Sequence, residues 1–235
     1  MNSKSYLLSC LIGLCLSSVL RADPLVIFPN GDFFCGVKVT AHPPVDRGEK
    51  NPDKQVPAPE LLLKNVEITQ VGKLRKDILT YNDGRSSEIW IAAGAGVVLV
   101  VADTHQNGAV YPANFKDLDS TGFRLLRLDA ASVTWITDKS LAGTVDFKGK
   151  KAQHYQAVQI IMTPYDRTMD LPGKSKLFQA WIDQKTLIPL GFDDGDALYE
   201  LNFGDKPPVG PLIMPATLEK MMQKYLNATG LPRRL

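Results

Sequence analysis

"QAWIDQKTLIPLGFDDGDALYELNF" runs from Gln179 to Phe203, and its reading decides between a catalytic or metal site and a sheet. It holds Asp183, Asp193, Asp194 and Asp196. Grouped carboxylates can bind a divalent cation or exchange protons, but they also build turns. An Asp side chain accepts hydrogen bonds from nearby backbone N–H groups and tolerates unusual φ. Asp193, Asp194 and Asp196 flank Gly195, between the apolar runs "LIPLGF" and "ALYELNF". A calcium loop needs D-x-[DN]-x-[DN]-G spacing and a late Glu, which this stretch lacks. The acids therefore read as turn residues, and the stretch as strand, turn, strand, turn, strand.

Part of this pattern stands earlier, in "VTWITDKSLAGTVDFKG" (Val133 to Gly149). Trp135 and Trp181 are each followed by Ile, and Lys139/Lys185, Ser140/Thr186, Leu141/Leu187 and Gly149/Gly195 recur at matching offsets. Two similar hairpins in a meander account for this. Trp90 extends the spacing to 45 and 46 residues. A propeller is rejected, because it needs four or more blades and Trp90 shares nothing downstream.

Further strands are expected at "PLVIF", "FFCGVKVTAH" (33–42), "LLLKNVEITQV" (61–71), "KLRKDILTY" (73–81), "RSSEIWIA" (85–92), "GVVLVVAD" (96–103), "SVTWIT" (132–137), "GTVDF" (143–147), "KAQHYQAVQIIM" (151–162) and "KLFQAWID" (176–183). Alternation of apolar and polar residues marks most of them, and "NDG" at 82–84 is a hairpin signal. The segment 43–60 carries five prolines and seven charged residues with almost no apolar anchor, so it reads as a loop or linker. One helix is expected over 215–230. Leu218, Met221, Met222, Tyr225 and Leu226 share one face, and Gly230 with Pro232 end it. The fold class is α+β: antiparallel β with a packed amphipathic helix. The organisation reads as a signal peptide at 1–22, an N-terminal β segment at 23–42, the loop at 43–60, and a β domain with its helix at 61–230.

Lys4 and the apolar run from Tyr6 to Leu20 read as a cleaved secretory signal ending near Ala22. Cys10 and Cys15 lie within that run and lack a lipobox around them. Cleavage leaves 25 basic residues against 25 acids, from the 27 and 25 of the whole chain. This neutrality argues against nucleic acid as a partner and limits membrane association to a peripheral one. Only Cys35 remains, so no internal disulfide can form, and a buried strand cysteine is the expectation.

No P-loop, G-x-G-x-x-G, G-x-S-x-G or HExxH motif is present, so no cofactor, metal or catalytic residue is assigned. His42, His105 and His154 are far apart in sequence, and "DTH" (103–105) stands without further ligands. A dispersed hydrolase triad is the one enzymatic reading kept open.

"KLRKDILTYNDGRSSEIWI", "FKGKKAQHYQAVQIIM" and "AWIDQKTLIPLGF" before "ALYELNF" resemble the periplasmic outer-membrane lipoprotein carrier family (LolA/LolB-like), over about Leu61 to Phe203. The chain departs from that family in opening with β-rich segments and a Pro-rich loop rather than an amphipathic helix. The resemblance implies an unclosed half-barrel, a strongly curved antiparallel sheet around an apolar cavity. It also implies a lipid or lipoprotein acyl chain as ligand. Alternation then nominates Ile78, Ile89, Ile91, Val98, Val100, Tyr155, Phe178 and Leu198 as inward ligand-binding residues, joined by Met221 and Met222 from the helix. A structural or interaction protein of the envelope, with no small ligand, is the alternative function.

The export reading makes a direct prediction. Intact-mass measurement of the secreted protein should give a chain that starts near Asp23, and a mature protein that still begins at Met1 would refute it.

Overall fold

The computed structural model describes residues 25–29, 31–43, 62–92, 97–102, 107–112, 128, 130–161, 173–204 and 211–229. The signal segment, most of the Pro-rich stretch, and Asp103 to His105 lie outside them.

Strands form where β-branched and aromatic residues alternate with polar ones. In chain order they are β1 Phe33–Ala41, β2 Leu63–Val71, β3 Leu74–Tyr81, β4 Ser86–Ala92, β5 Val97–Ala102 and β6 Asn107–Pro112. They continue as β7 Leu141–Phe147, β8 Lys150–Ile161, β9 Lys174–Asp183, β10 Pro189–Asp193 and β11 Ala197–Gly204. All eleven join one sheet in the order β6-β5-β4-β3-β2-β1-β11-β10-β9-β8-β7. Every neighbouring pair is antiparallel. The chain starts mid-sheet, steps outward to β6, resumes at the opposite edge with β7 and steps back until β11 pairs with β1. Among the described residues β6 and β7 are unpaired outer edges, so the curved sheet is an unclosed half-barrel. Register shifts at Leu63/Asn65, Leu141/Gly143 and Pro189/Gly191 bend it locally.

One face is filled by the chain itself. Cys35, Val37, Val66, Ile68, Leu79, Ile89, Tyr155, Ala180, Phe192, Tyr199 and Leu201 form a buried cluster there. Leu25, Val26 and Phe28 pack on it, as do Leu128, Val133, Trp135 and Ile136. "PLVIF" is therefore not a strand. It lies against the core and donates from Ile27 N to the Leu187 carbonyl at 2.8 Å. "SVTWIT" is not a strand either. Ala130–Val133 is a 3-10 turn and a second one spans Asp138–Ser140. The two tryptophan repeats thus differ: Trp181 sits in β9, while Trp135 caps the core. β6 escaped the sequence reading because Asn, Gly and Pro make up half of it; its pairing with β5 forms it nonetheless.

Helix α1 spans Ala216–Thr229. It buries Leu218, Met222 and Leu226 against Trp90 and Ala92, with Met221 and Tyr225 at the margin. Trp90 alternates with Ile89, so α1 packs on the second face of the sheet. It does not join the cluster of Ile89 and Tyr155. The expectation that the helix and these strand residues enclose one space is corrected accordingly. The helix docks near the β5–β6 edge, where Trp90, Leu74 and Val110 offer the apolar surface.

Each fully buried Leu or Met contributes about 1.5–3 kcal/mol. Met222→Asp should lower stability by at least about 2–5 kcal/mol, as large core truncations do. Lys220→Asp, at an exposed position, should stay within about 0.5 kcal/mol of the parent. Thermal melts compare them, and equal melting temperatures would contradict the docking.

Cys35 is fully buried between Ile68 and Phe203 in the register. Burial pushes its thiol up to about 12, and a hydrogen bond from the Asn202 backbone only partly offsets this. Because the folded value is raised, the group stays a neutral thiol where a free thiol, at about 8.5, already ionises. Iodoacetamide at mildly alkaline pH should therefore leave the native protein unmodified and alkylate it once denatured. Rapid labelling of the folded protein would overturn this assignment.

Candidate functional site

Asp183, Asp193 and Asp194 cap turns, and Asp196 pairs with a lysine. Asp183 Oδ1 accepts from Lys185 N and Thr186 N, both at 2.9 Å, and these bonds hold its carboxyl below the usual range. Asp193 Oδ1 accepts from Gly195 N at 2.8 Å. Asp194 Oδ1 accepts from Asp196 N and Ala197 N, both at 2.9 Å, and Tyr199 Oη donates to its Oδ2 at 3.2 Å. Burial raises the Asp194 carboxyl despite these donors, and burial also raises the Tyr199 phenol, with Asp194 adding to it. His42 Nε2 lies 2.7 Å from Asp193 Oδ2 and ties the end of β1 to the same turn. Lys176 bonds Asp196. The carboxylates are occupied by structure.

The nominated ligand-binding residues divide between faces. Ile89, Ile91 and Tyr155 belong to the filled face, Ile89 and Tyr155 deeply buried. Phe178 is buried there too, edge-on to Trp135 with ring centroids 5.9 Å apart. The register sets Val98 and Val100 opposite Ile91 and Ile89. Ile78 and Leu198 are half-buried on the other side of their strands, and Leu79 and Tyr199 hold the core positions. Met222 is buried and Met221 half-buried beneath α1 on the second face. The ten residues therefore do not line one space. The filled face also carries an ion pair that alternation did not suggest: Arg75 Nε and Nη2 donate to Asp77 at 2.7 and 2.8 Å, both residues buried. Burial outweighs the pull of Arg75 and raises the Asp77 carboxyl. Trp135 Nε1 is buried and meets no acceptor among the described residues.

The second face holds a groove of about 470 Å³ over the β1–β11 seam. Its floor is Gly36, flanked on β1 by Phe34 and Lys38, with Glu200 and Asn202 from β11 and Asn65 and Glu67 from β2. Its far wall is the β7–β8 turn, carrying Phe147, Lys148 and Lys150. That turn reaches across three strands because the residues beneath it make room. Phe147 stacks on Trp181, with centroids 4.8 Å apart and planes at 22°, and Trp181 stacks on His154 at 5.2 Å and 5°. Gly191 completes the seat. A Cβ there would lie 2.8 Å from Phe147 Cζ and 3.1 Å from the Tyr199 carbonyl oxygen. At Gly36 the reverse holds: an added Cβ would meet nothing within 4 Å. The empty space at Gly36 is the groove itself.

The groove mixes functions. Phe34, Phe147 and Leu190 give apolar surface, while lysine, glutamate and asparagine side chains surround it. Glu200 lies between two ammonium groups, 4.0 Å from Lys38 Nζ and 3.4 Å from Lys148 Nζ. Alternation could not find this site, since it depends on a distant turn folding over a glycine.

No family model and no curated protein matches this chain. Among solved structures it is similar to the lipoprotein LppX of Mycobacterium tuberculosis, at 13% identity over 76% of this chain and 88% of that one, with a TM-score of 0.39. It is also similar to LprF of Mycobacterium bovis, at 9% identity over 80% of this chain and 90% of that one, again with a TM-score of 0.39. The fold itself rests on the strand register.

Proposed function

We propose that this chain is an exported, non-enzymatic binding protein for a lipid or similar amphiphile, and that the ligand lies in the groove over Gly36. The groove volume of about 470 Å³ carries the reading; ligand sites span about 300–1,000 Å³ and combine apolar walls with a few placed polar groups. Phe34, Phe147 and Leu190 supply the first and the lysines and asparagines the second. About ten methylenes at roughly 0.8 kcal/mol each gross the 8 kcal/mol of micromolar binding, before immobilisation costs. The sequence resemblance to the lipoprotein carriers points to the same ligand class, and Lys4 with the apolar Tyr6–Leu20 run supports export.

One observation favours a second location. Trp135 Nε1, without an acceptor among the described residues, lies on the filled face beside Phe178, and a buried unsatisfied donor costs about 1–3 kcal/mol. A ligand acceptor there would satisfy it, with Ile89, Ile91 and Tyr155 on the same face.

Protein purified from its own envelope should release acyl lipid on solvent extraction, seen by mass spectrometry at a substantial fraction of one per chain. A photoactivatable fatty acid should then cross-link to peptides holding Phe34–Lys38 and Phe147–Lys150. Cross-links to Trp135 and Phe178 instead would move the site to the filled face. Lipid-free protein with no uptake would leave the structural or interaction role.

A further inference from the structure

We infer that the groove selects a ligand with a negatively charged head, a carboxylate or phosphate at the end of an acyl chain. This rests on the binding reading above and names the chemistry that the site prefers. Three lysines line the groove, Lys38 from β1 and Lys148 and Lys150 from the β7–β8 turn, against two carboxylates, Glu67 and Glu200. The lining thus carries one positive charge in excess. Glu200 does not satisfy its two lysines closely. Its oxygens lie 4.0 Å from Lys38 Nζ and 3.4 Å from Lys148 Nζ, whereas a tight ammonium–carboxylate hydrogen bond is about 2.7–2.9 Å. An anionic head on the side of Lys38 and Lys148 away from Glu200 gives each exposed ammonium a second partner. A neutral head leaves the excess charge as it is, and a cationic head is repelled.

The backbone that carries Lys148 is also held in place. Lys148 and Gly149 both have positive φ, 53° and 80°, the combination of a tight hairpin turn that follows the strand twist. Gly149 N donates to Asp146 Oδ1 at 2.8 Å. One residue earlier, Phe147 is fixed between Trp181 and the space at Gly191. The turn is anchored on both sides of the lysine, and its ammonium stands over the groove. The tail then runs along Phe34, Phe147 and Leu190.

Two substitutions separate the floor from the charge. Gly36 lies in a strand without positive φ and has open space above it, so Gly36→Leu fills the groove with no backbone strain. Lys148→Asn removes the charge and keeps the turn, because Asn-Gly is favoured at paired positive φ. Titration calorimetry would compare palmitate, palmitoyl lysophosphatidic acid and monopalmitoylglycerol. At least one of the two anionic ligands should bind about tenfold tighter than the glycerol ester, a difference of about 1.4 kcal/mol, and which one does identifies the head group. Lys148→Asn should erase that preference by weakening the anionic ligands, and added salt should shrink it. Gly36→Leu should weaken all three while the melting temperature holds. Equal binding of the three ligands by the parent, or a preference that survives Lys148→Asn together with Lys38→Ala, overturns the head-group inference and leaves the binding function standing. No binding of any ligand, or no effect of Gly36→Leu, overturns both.

Discussion

The pairing of β1 with β11 holds the two halves of the molecule together. Eight register pairs, from Phe34↔Gly204 to Ala41↔Ala197, join the first strand of the chain to the last strand before the helix. On either side of this seam lie simple meanders, β1 to β6 and β7 to β11, whose neighbours are close in sequence. Their pairings are local and carry small loop-closure costs. Among the described strands the seam is the pairing that joins the two meanders, and without it there are two sheets with four edges. Its side chains reflect that role. Cys35 and Val37 of β1 and Tyr199 and Leu201 of β11 are all buried in the filled face.

The same seam also creates the groove. On its second face, alternation brings Phe34, Gly36 and Lys38 beside Glu200 and Asn202. Gly36 withholds a side chain at the centre, and the β7–β8 turn closes over from the far edge. The two faces are thus solved differently. One is covered by chain segments before β1 and after β6, which add Leu25, Phe28, Leu128 and Ile136 to the core. Among the described residues the other is covered only partly, by α1 at the β5–β6 edge and by the turn over β10 and β11. The Arg75–Asp77 pair inside the filled face gives each charge a bidentate partner, and losing one member of such a pair costs about 3–5 kcal/mol.

Much of the fold was legible in local pattern. Alternation gave most strands, and acidic or glycine turns marked their ends. Asp183, Asp193 and Asp194 cap backbone donors as their neighbours suggested. The helical spacing of Leu218, Met222 and Leu226 gave α1 to within a residue or two of its bounds. Errors arose where a segment had β composition but no sheet neighbour. "PLVIF" and "SVTWIT" are apolar because they lie on the core, and burial without pairing looks like a strand in one dimension. Face assignment failed at Ile78 and Leu198 for a related reason. Two adjacent residues were apolar in each case, so one step in register exchanged the sides.

The sequence by itself determined the strands, the turns, the helix and its buried stripe, because these depend on residues a few positions apart. It also indicated a buried strand cysteine at Cys35. Only the tertiary structure decided which face each strand turns to the core, where the helix docks, and that Trp135 caps while Trp181 pairs. It alone placed Lys148 beside Glu200 and Phe147 over Gly191. Those contacts join residues about forty to fifty apart across three strand positions, and no local period encodes them. They follow from the curvature of the sheet, which is a property of all its pairings together.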